Sequence, residues 1–366
     1  MSTEAYNPKI GVCMIVKDEE AVIERVLRST LSWMDTWCIV DTGSTDKTME
    51  IIRRVTDEMK KPGHLYERPW VNFGHNRTES LELARKHMDW SFVIDADDTA
   101  EGQPPARDLF KPDISSFRVD IHHGSLKHAR TQFFNSKFAW KYVGALHEYP
   151  HCEGAPPSAS LPPTFYVHTR VEGARSKDPL KYAKDAELLE KELEKEPTNE
   201  RTMFYLAQSY RDSGQVDKAK AMYAKRLAAG GWIEEQYMSL VNIIKLTNDV
   251  QMKVQLAWKA QNLIPHRLEA AYYAISAARR ADYFTQEVLA MTLLPKNRMI
   301  RQNYLFAEKY IYEYGFDDEA CIIAYHTKAY QESFHFGQRA VLLAPADQKQ
   351  RMTANIGFAE QKLGMI

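Results

Sequence analysis

Cysteine is scarce in this chain of 366 residues, with four in all. Cys13, Cys38, Cys152 and Cys321 are scattered and form no Cys-x-x-Cys pair. Cys13 and Cys38 lie inside apolar runs and read as small core residues, and the sparse usage fits a reducing compartment. Long apolar runs are missing too. No stretch approaches the roughly 18 residues that would span a bilayer, so no membrane span is expected. Net charge is nearly absent, at -1, which removes any global pull toward nucleic acid or membrane. The opening residues, Met1 to Lys9, are short and polar and do not resemble a signal peptide. A cytoplasmic protein is expected.

What is present is an ordinary folded composition, 44% hydrophobic and 27% charged, long enough for about two or three domains. The first third alternates strand and helix signals. Ile10–Val16 is a continuous apolar run, as in a strand buried on both faces. Val22, Ile23, Val26, Leu27 and Leu31 then recur at helical spacing across 19–32. A strand over Trp37–Val40, a turn over Asp41–Asp46, helices over Thr48–Met59 and Asn76–His87, and a strand over Trp90–Ile94 follow. This alternation predicts parallel βαβ units with ligands at the C-terminal ends of the strands. Strands are also expected over 117–121, 131–134 and 165–168, with a loop over Pro150–Pro163 and a linker over Gly173–Pro179.

From about Leu180 no strand signal remains. Leu206, Ala207, Tyr210, Gly214, Ala219 and Tyr223 fall where a tetratricopeptide (TPR) repeat places its packing residues. About five to six helix pairs at a period near 34 would fill the rest. The domains are therefore expected at 1–175 and 176–366.

Four segments carry chemistry. Asp95, Asp97 and Asp98 crowd the end of an apolar strand, where like charges are costly unless a cation shares the site. Oxygen-only ligands suit Mg2+ or Mn2+, with Asp97 the direct ligand and Asp95 holding a donor ribose or a metal-bound water. The plain alternative is a solvated turn. Asp41, opening the segment Asp41-Thr42-Gly43-Ser44-Thr45-Asp46, is placed to accept hydrogen bonds from a nucleobase or ribose, while Asp46 caps the next helix. Main-chain groups of Val16 and Lys17 could edge a base, with Asp18 and Glu19 as helix caps. Arg77 pairs with a diphosphate or with Asp95, or merely with Glu79.

In this order the four segments resemble family 2 glycosyltransferases of the GT-A fold, and more narrowly a bacterial and viral subgroup with TPR-like helices after the catalytic domain. The resemblance implies an α/β N-terminal domain with a Rossmann-like, mostly parallel sheet, followed by an all-α TPR-like repeat domain. It implies a nucleotide-sugar donor, UDP-linked by preference, a divalent cation (Mn2+ or Mg2+), and inverting transfer to a glycan or other acceptor hydroxyl. Asp41, Val16, Lys17, Arg77 and Asp95 would contact the donor, and Asp97 the metal. Trp140 to Glu148 is similar to the subgroup's Trp-x-x-x-Gly-x-x-His-Glu segment. Inverting transfer needs a general base, and Glu148 is assigned that role, with His147 as the alternative. Glu148 paired structurally with His147 is the plainer reading. His168 resembles a late histidine that joins the metal, against a satisfied interior histidine.

Two other classes compete. One is a TPR-type binding scaffold with an inactive nucleotide-binding domain. The other is a nucleotidyltransferase, disfavoured because the turn Lys17-Asp18-Glu19-Glu20 is acidic and lacks glycine. The helical half would recognise the acceptor or form a homodimer, using Trp232 and Tyr237 as exposed aromatics.

Overall fold

The computed structural model describes residues 6–124, 126–294, 299–301 and 304–366. They form two compact units, Met1–Leu189 and Glu190–Ile366.

The N-terminal unit is built on strands β1 (Ile10–Val16), β2 (Thr36–Asp41), β3 (Gly63–Glu67), β4 (Trp90–Val93), β5 (Thr99–Gly102), β6 (Ser116–His123), β7 (Leu126–Asn135), β8 (Lys141–Val143), β9 (Tyr149–His151), β10 (Ala159–Ser160) and β11 (Phe165–His168). Nine of them make one sheet in the order β3-β2-β1-β4-β7-β6-β11-β5, with β10 beside β6; β8 and β9 pair separately. The pairs β3–β2, β2–β1 and β1–β4 are parallel, β4–β7 and β7–β6 antiparallel, and β6–β11 parallel again.

The run Ile10–Val16 is apolar throughout because both of its faces are covered. Ile10, Val12 and Met14 pack with Val26 and Leu27 of helix α1 (Ile23–Leu31) and Ile52 and Val55 of α2 (Thr48–Glu58). Cys13 points the other way, among Leu81, Leu83 and Ala84 of α3 (Phe73–Ala84). Leu27 is fully buried, so truncating it to Ala would cost about 2–5 kcal/mol. From β1 the chain runs outward to β2 and β3, then returns through α3 to β4 on the opposite side of β1. The strand order therefore reverses between β1 and β4, and the crevice beyond their C-terminal ends is where such sheets bind ligands.

The second unit is helical. It follows α4 (Lys181–Lys195), which carries the division between the units, and comprises α5 (Glu200–Asp212), α6 (Val216–Ala229), α7 (Ile233–Leu246), α8 (Val250–Leu263), α9 (Glu269–Arg280), α10 (Gln286–Leu293), α11 (Phe316–His326), α12 (Tyr330–Leu343) and α13 (Ala346–Leu363). Successive helices pack on one another, and α7 and α11 also flank α9. Leu206, Ala207, Tyr210, Ala219 and Tyr223 are all buried, and Gly214 turns the chain between α5 and α6 at φ +80°. Helix pairs begin at 200, 233 and 269, close to a TPR spacing of about 34, before a longer step to 316.

The two compact units divide in sequence at 189/190, and residues 172–174 bond back onto Asp97 and Glu19. One expectation needs correction. Tyr237 is not exposed. It is fully buried, donates to Glu269 and accepts from the Ala270 N–H at 3.1 Å, whereas Trp232 is indeed exposed.

Candidate active site

The site forms where β1, β2 and β4 end. β1 opens into a loop that is latched to the one after β2. The Asp18 N–H donates to Ser44 Oγ at 2.9 Å, and Asp18 Oδ1 accepts from the Thr45 N–H at 2.7 Å. Asp18 takes a left-handed φ of +53° to make this turn, which costs a non-glycine residue on the order of 1 kcal/mol. Thr42 N–H and hydroxyl both bond the Val16 carbonyl, at 2.9 and 3.0 Å. Of the two expected main-chain positions, Val16 thus has its carbonyl committed, and Lys17 stays exposed. Asp46 accepts from the Thr48 and Glu20 N–H groups and is structural.

Asp41 sits at the end of β2 and is 2% exposed. Its Oδ1 accepts from the N–H groups of Gly43 and Ser44, at 2.9 and 2.8 Å. Its Oδ2 is buried and accepts nothing among the described residues. A buried carboxylate oxygen without a donor is expensive, so the geometry calls for one from outside the chain.

Arg77 ties distant segments together. Its Nη2 donates to Asp95 Oδ1 at 2.5 Å, and its Nε lies 2.7 Å from Glu148 Oε1. Glu148 is therefore paired with Arg77, and Glu79 is taken by Arg68 at 2.8 Å. The first turn of α3 makes this meeting possible. Phe73 N–H donates to the Ala145 carbonyl at 3.1 Å, and Tyr142 N–H to Thr78 Oγ1 at 2.8 Å. A Cβ at Gly74 would lie 2.1 Å from the Gly144 carbonyl, so only glycine allows the approach. His147 is exposed and holds φ +53° just before Glu148.

The aspartates after β4 have unequal surroundings. Burial alone would raise Asp95, but the Arg77 and Arg130 guanidinium groups hold its pKa near 2. Asp98 is 1% exposed, and burial together with the Asp95 charge pushes it up to about 7. Its Oδ1 accepts no hydrogen bond among the described residues. Asp97 Oδ2 accepts from the N–H groups of Glu172 and Gly173, at 3.1 and 3.0 Å. Glu19, expected only as a cap, stands beside this group, and burial followed by the charges of Asp97, Asp46 and Asp95 pushes it up to about 7, against a hydrogen bond from Ala174. Crowded, oxygen-only and incompletely satisfied, these carboxylates fit a divalent cation. Among the described residues no three His, Cys, Asp or Glu side chains stand ready as a complete cluster.

His168 lies at the end of β11, with Nδ1 3.2 Å from Glu101 Oε1; Arg170 and Tyr166 bond the same carboxylate. Two residues escaped the sequence reading. Arg130 stands 3.7 Å from Asp95 and 4.0 Å from Asp98, and Arg25 bonds the Asp97 carbonyl at 3.2 Å while pairing with Glu172 at 2.7 Å. Alternation along β7 would have flagged Arg130 had the strand been drawn beyond its apolar core.

Residues 11–103 match the model of glycosyl transferase family 2. A TPR repeat-containing protein from Synechococcus elongatus is 33% identical over 95 residues, covering 26% of this chain and 22% of its own length. The chain thus spans less than a quarter of that relative. Two solved structures are similar at low identity. A mannosyltransferase from Pyrobaculum calidifontis, in complex with GDP-Man and Mn2+, is 17% identical, with 76% of this chain and 88% of that one covered and a TM-score of 0.35. TarS from S. aureus, in complex with UDP-GlcNAc, is 11% identical, with 75% and 92% covered and a TM-score of 0.36. Asp41, Arg77 and Asp95–Asp98 all fall inside the segment that matches glycosyl transferase family 2.

Proposed function

We propose that this domain transfers a sugar from a nucleotide-sugar donor to an acceptor hydroxyl with inversion at the anomeric carbon. One observation carries the reading. Among the described residues, the buried carboxylate oxygens without a hydrogen-bond partner are Asp41 Oδ2 and Asp98 Oδ1, and both belong to this site. The first suits an N–H or hydroxyl of a nucleoside, beside the main chain of Lys17. UDP is the preferred nucleotide, on family resemblance.

Asp97 would hold Mn2+ or Mg2+, with Asp95 in support. The Glu101 contact engages Nδ1 of His168 and leaves Nε2 for a metal, an arrangement common in metal sites. When bound, the cation would neutralise charge on the departing diphosphate. Glu148 takes the acceptor proton as the hydroxyl oxygen bonds the anomeric carbon and the bond to the diphosphate breaks. His147 is the alternative base. Arg77, bridging Asp95 and Glu148, fixes the base relative to the donor side of the site.

The helical unit is proposed as a TPR-like element for acceptor recognition or self-association. In support, a cleft of about 860 Å3 lies among α6, α7 and α8, floored by Leu227, Leu240, Ile243 and Leu256.

Incubation with nucleotide sugars and Mn2+ should release free nucleoside diphosphate slowly, and Asp97→Ala should abolish that release. Equal release from both proteins, or release from neither, would defeat the proposal.

A further inference from the structure

One strand face beside the acidic site differs in charge from the rest of the molecule. Residues 116–135 hold Arg118, Lys127 and Arg130 against a single acid, Asp120, with His122, His123 and His128 besides. The chain as a whole has a net charge of -1. The β6–β7 register sorts these residues by face. Arg118 lies opposite Thr131, Asp120 opposite Ala129 and His122 opposite Lys127 on one side. Val119 lies opposite Arg130 and Ile121 opposite His128 on the other, with His123 two residues beyond Ile121. The lone acid is thus on the first face with Arg118. The second face presents Arg130, His128 and His123 with no carboxylate of the hairpin among them.

That second face is the one turned to the site. Arg130 reaches toward Asp95 and Asp98, at 3.7 and 4.0 Å. Both distances exceed a hydrogen bond, and the guanidinium side chain is 46% exposed. From the neighbouring strand, Val167 pairs with Ile121, and Thr169 two residues on bonds Asp98. Burial, then the facing Arg130 and His123, hold His128 below the ordinary histidine range, as befits cationic groups that face one another. The row runs outward from the aspartates over about 13 Å of strand, room for a sugar-sized group between the acidic site and an anion.

We infer that Arg130, His128 and His123 form an anion-binding track that holds a phosphate group carried by the acceptor. The inference rests on the glycosyl-transfer reading above and adds the acceptor's chemical class to it. The donor diphosphate is a poor occupant of the outer part of the track, because His128 and His123 lie beyond Arg130 on the side away from the aspartates. An anionic acceptor would be drawn in by the three groups and would leave its hydroxyls to the inner part of the site.

The test follows the histidine ring signals of the full chain by NMR, with UDP and Mg2+ saturating so that the donor's phosphate site is filled. Glucose 6-phosphate and glucose are the probes, and His123→Gln and His128→Gln assign the signals. Glucose 6-phosphate should move both rings and glucose neither, and Arg130→Gln should weaken the glucose 6-phosphate response at least fivefold. Equal responses to the two sugars, no response to either, or an unchanged response in Arg130→Gln would overturn the track. Calorimetry with UDP alone separates the two claims. Ring shifts without UDP binding keep the anion site and sink the donor reading, and UDP binding without ring shifts does the reverse.

Discussion

The two units use buried charge in opposite ways. In the helical unit Arg267 and Glu269 are wholly buried, yet the pair is closed. Arg267 donates to both oxygens of Glu269, at 3.0 and 2.7 Å, to Glu234, and to the Leu305 carbonyl at 3.0 Å. Tyr312 adds a further bond to Glu269 at 2.9 Å. Arg226 and Glu235 form a second closed pair through two bonds of 3.1 and 3.0 Å. In the N-terminal unit the carboxylates of Asp41 and Asp98 each leave one buried oxygen without a partner. Saturated buried charge specifies packing, whereas unsaturated buried charge marks a place where something else must bind.

The largest effect that would sharpen this contrast is chemical. Glu148→Gln keeps the shape beside Arg77 but cannot take a proton, so turnover should fall by about 10²–10⁴-fold with little change in melting temperature. A variant that turns over normally would move the base to His147. Next, Arg267→Met should leave Glu234 and Glu269 buried and unpaired and cost about 3–5 kcal/mol in urea unfolding. A neutral result would show that the helical network is no more closed than the catalytic one. Gly74→Ala should push α3 from the Gly144 carbonyl, separate Arg77 from Glu148 and cost about 1–3 kcal/mol, with activity reduced further than stability implies. Smallest and opposite in sign, Asp98→Asn removes a charge that burial and Asp95 disfavour. Its melting temperature should rise slightly in chelator, while donor turnover falls. A drop in stability would mean that Asp98 is as satisfied as Glu269.

Much of the arrangement could be read from the residues. β1 falls where its apolar run stands, because a strand buried on both faces leaves a continuous signal, and β11 falls where buried Phe165 and Val167 alternate with half-buried Tyr166 and His168. β3 was not anticipated, since Gly63-His64-Leu65-Tyr66-Glu67 lies at the sheet edge and is only half buried. β5 and β8 were missed because they are too short to show a period. Asp41 and Asp95–Asp98 were legible because they follow buried strands directly. The Arg77–Glu148 pair depends on contacts between α3 and the 142–145 segment, and Glu19's place beside Asp97 depends on the 172–174 loop closing over both. No local pattern encodes such meetings. Tyr237 was misjudged for the same reason, since its partner Glu269 lies two helices away.

The most direct measurement is calorimetric titration of UDP and GDP, each with Mn2+, into the wild-type chain and into Asp41→Asn. Wild type should bind one of the two nucleotides, and the substitution should weaken that binding at least tenfold while leaving the melting temperature of the free protein unchanged or higher. If neither nucleotide binds, or if Asp41→Asn binds as well as wild type, the open carboxylates at the ends of β2 and β4 do not mark a nucleotide site.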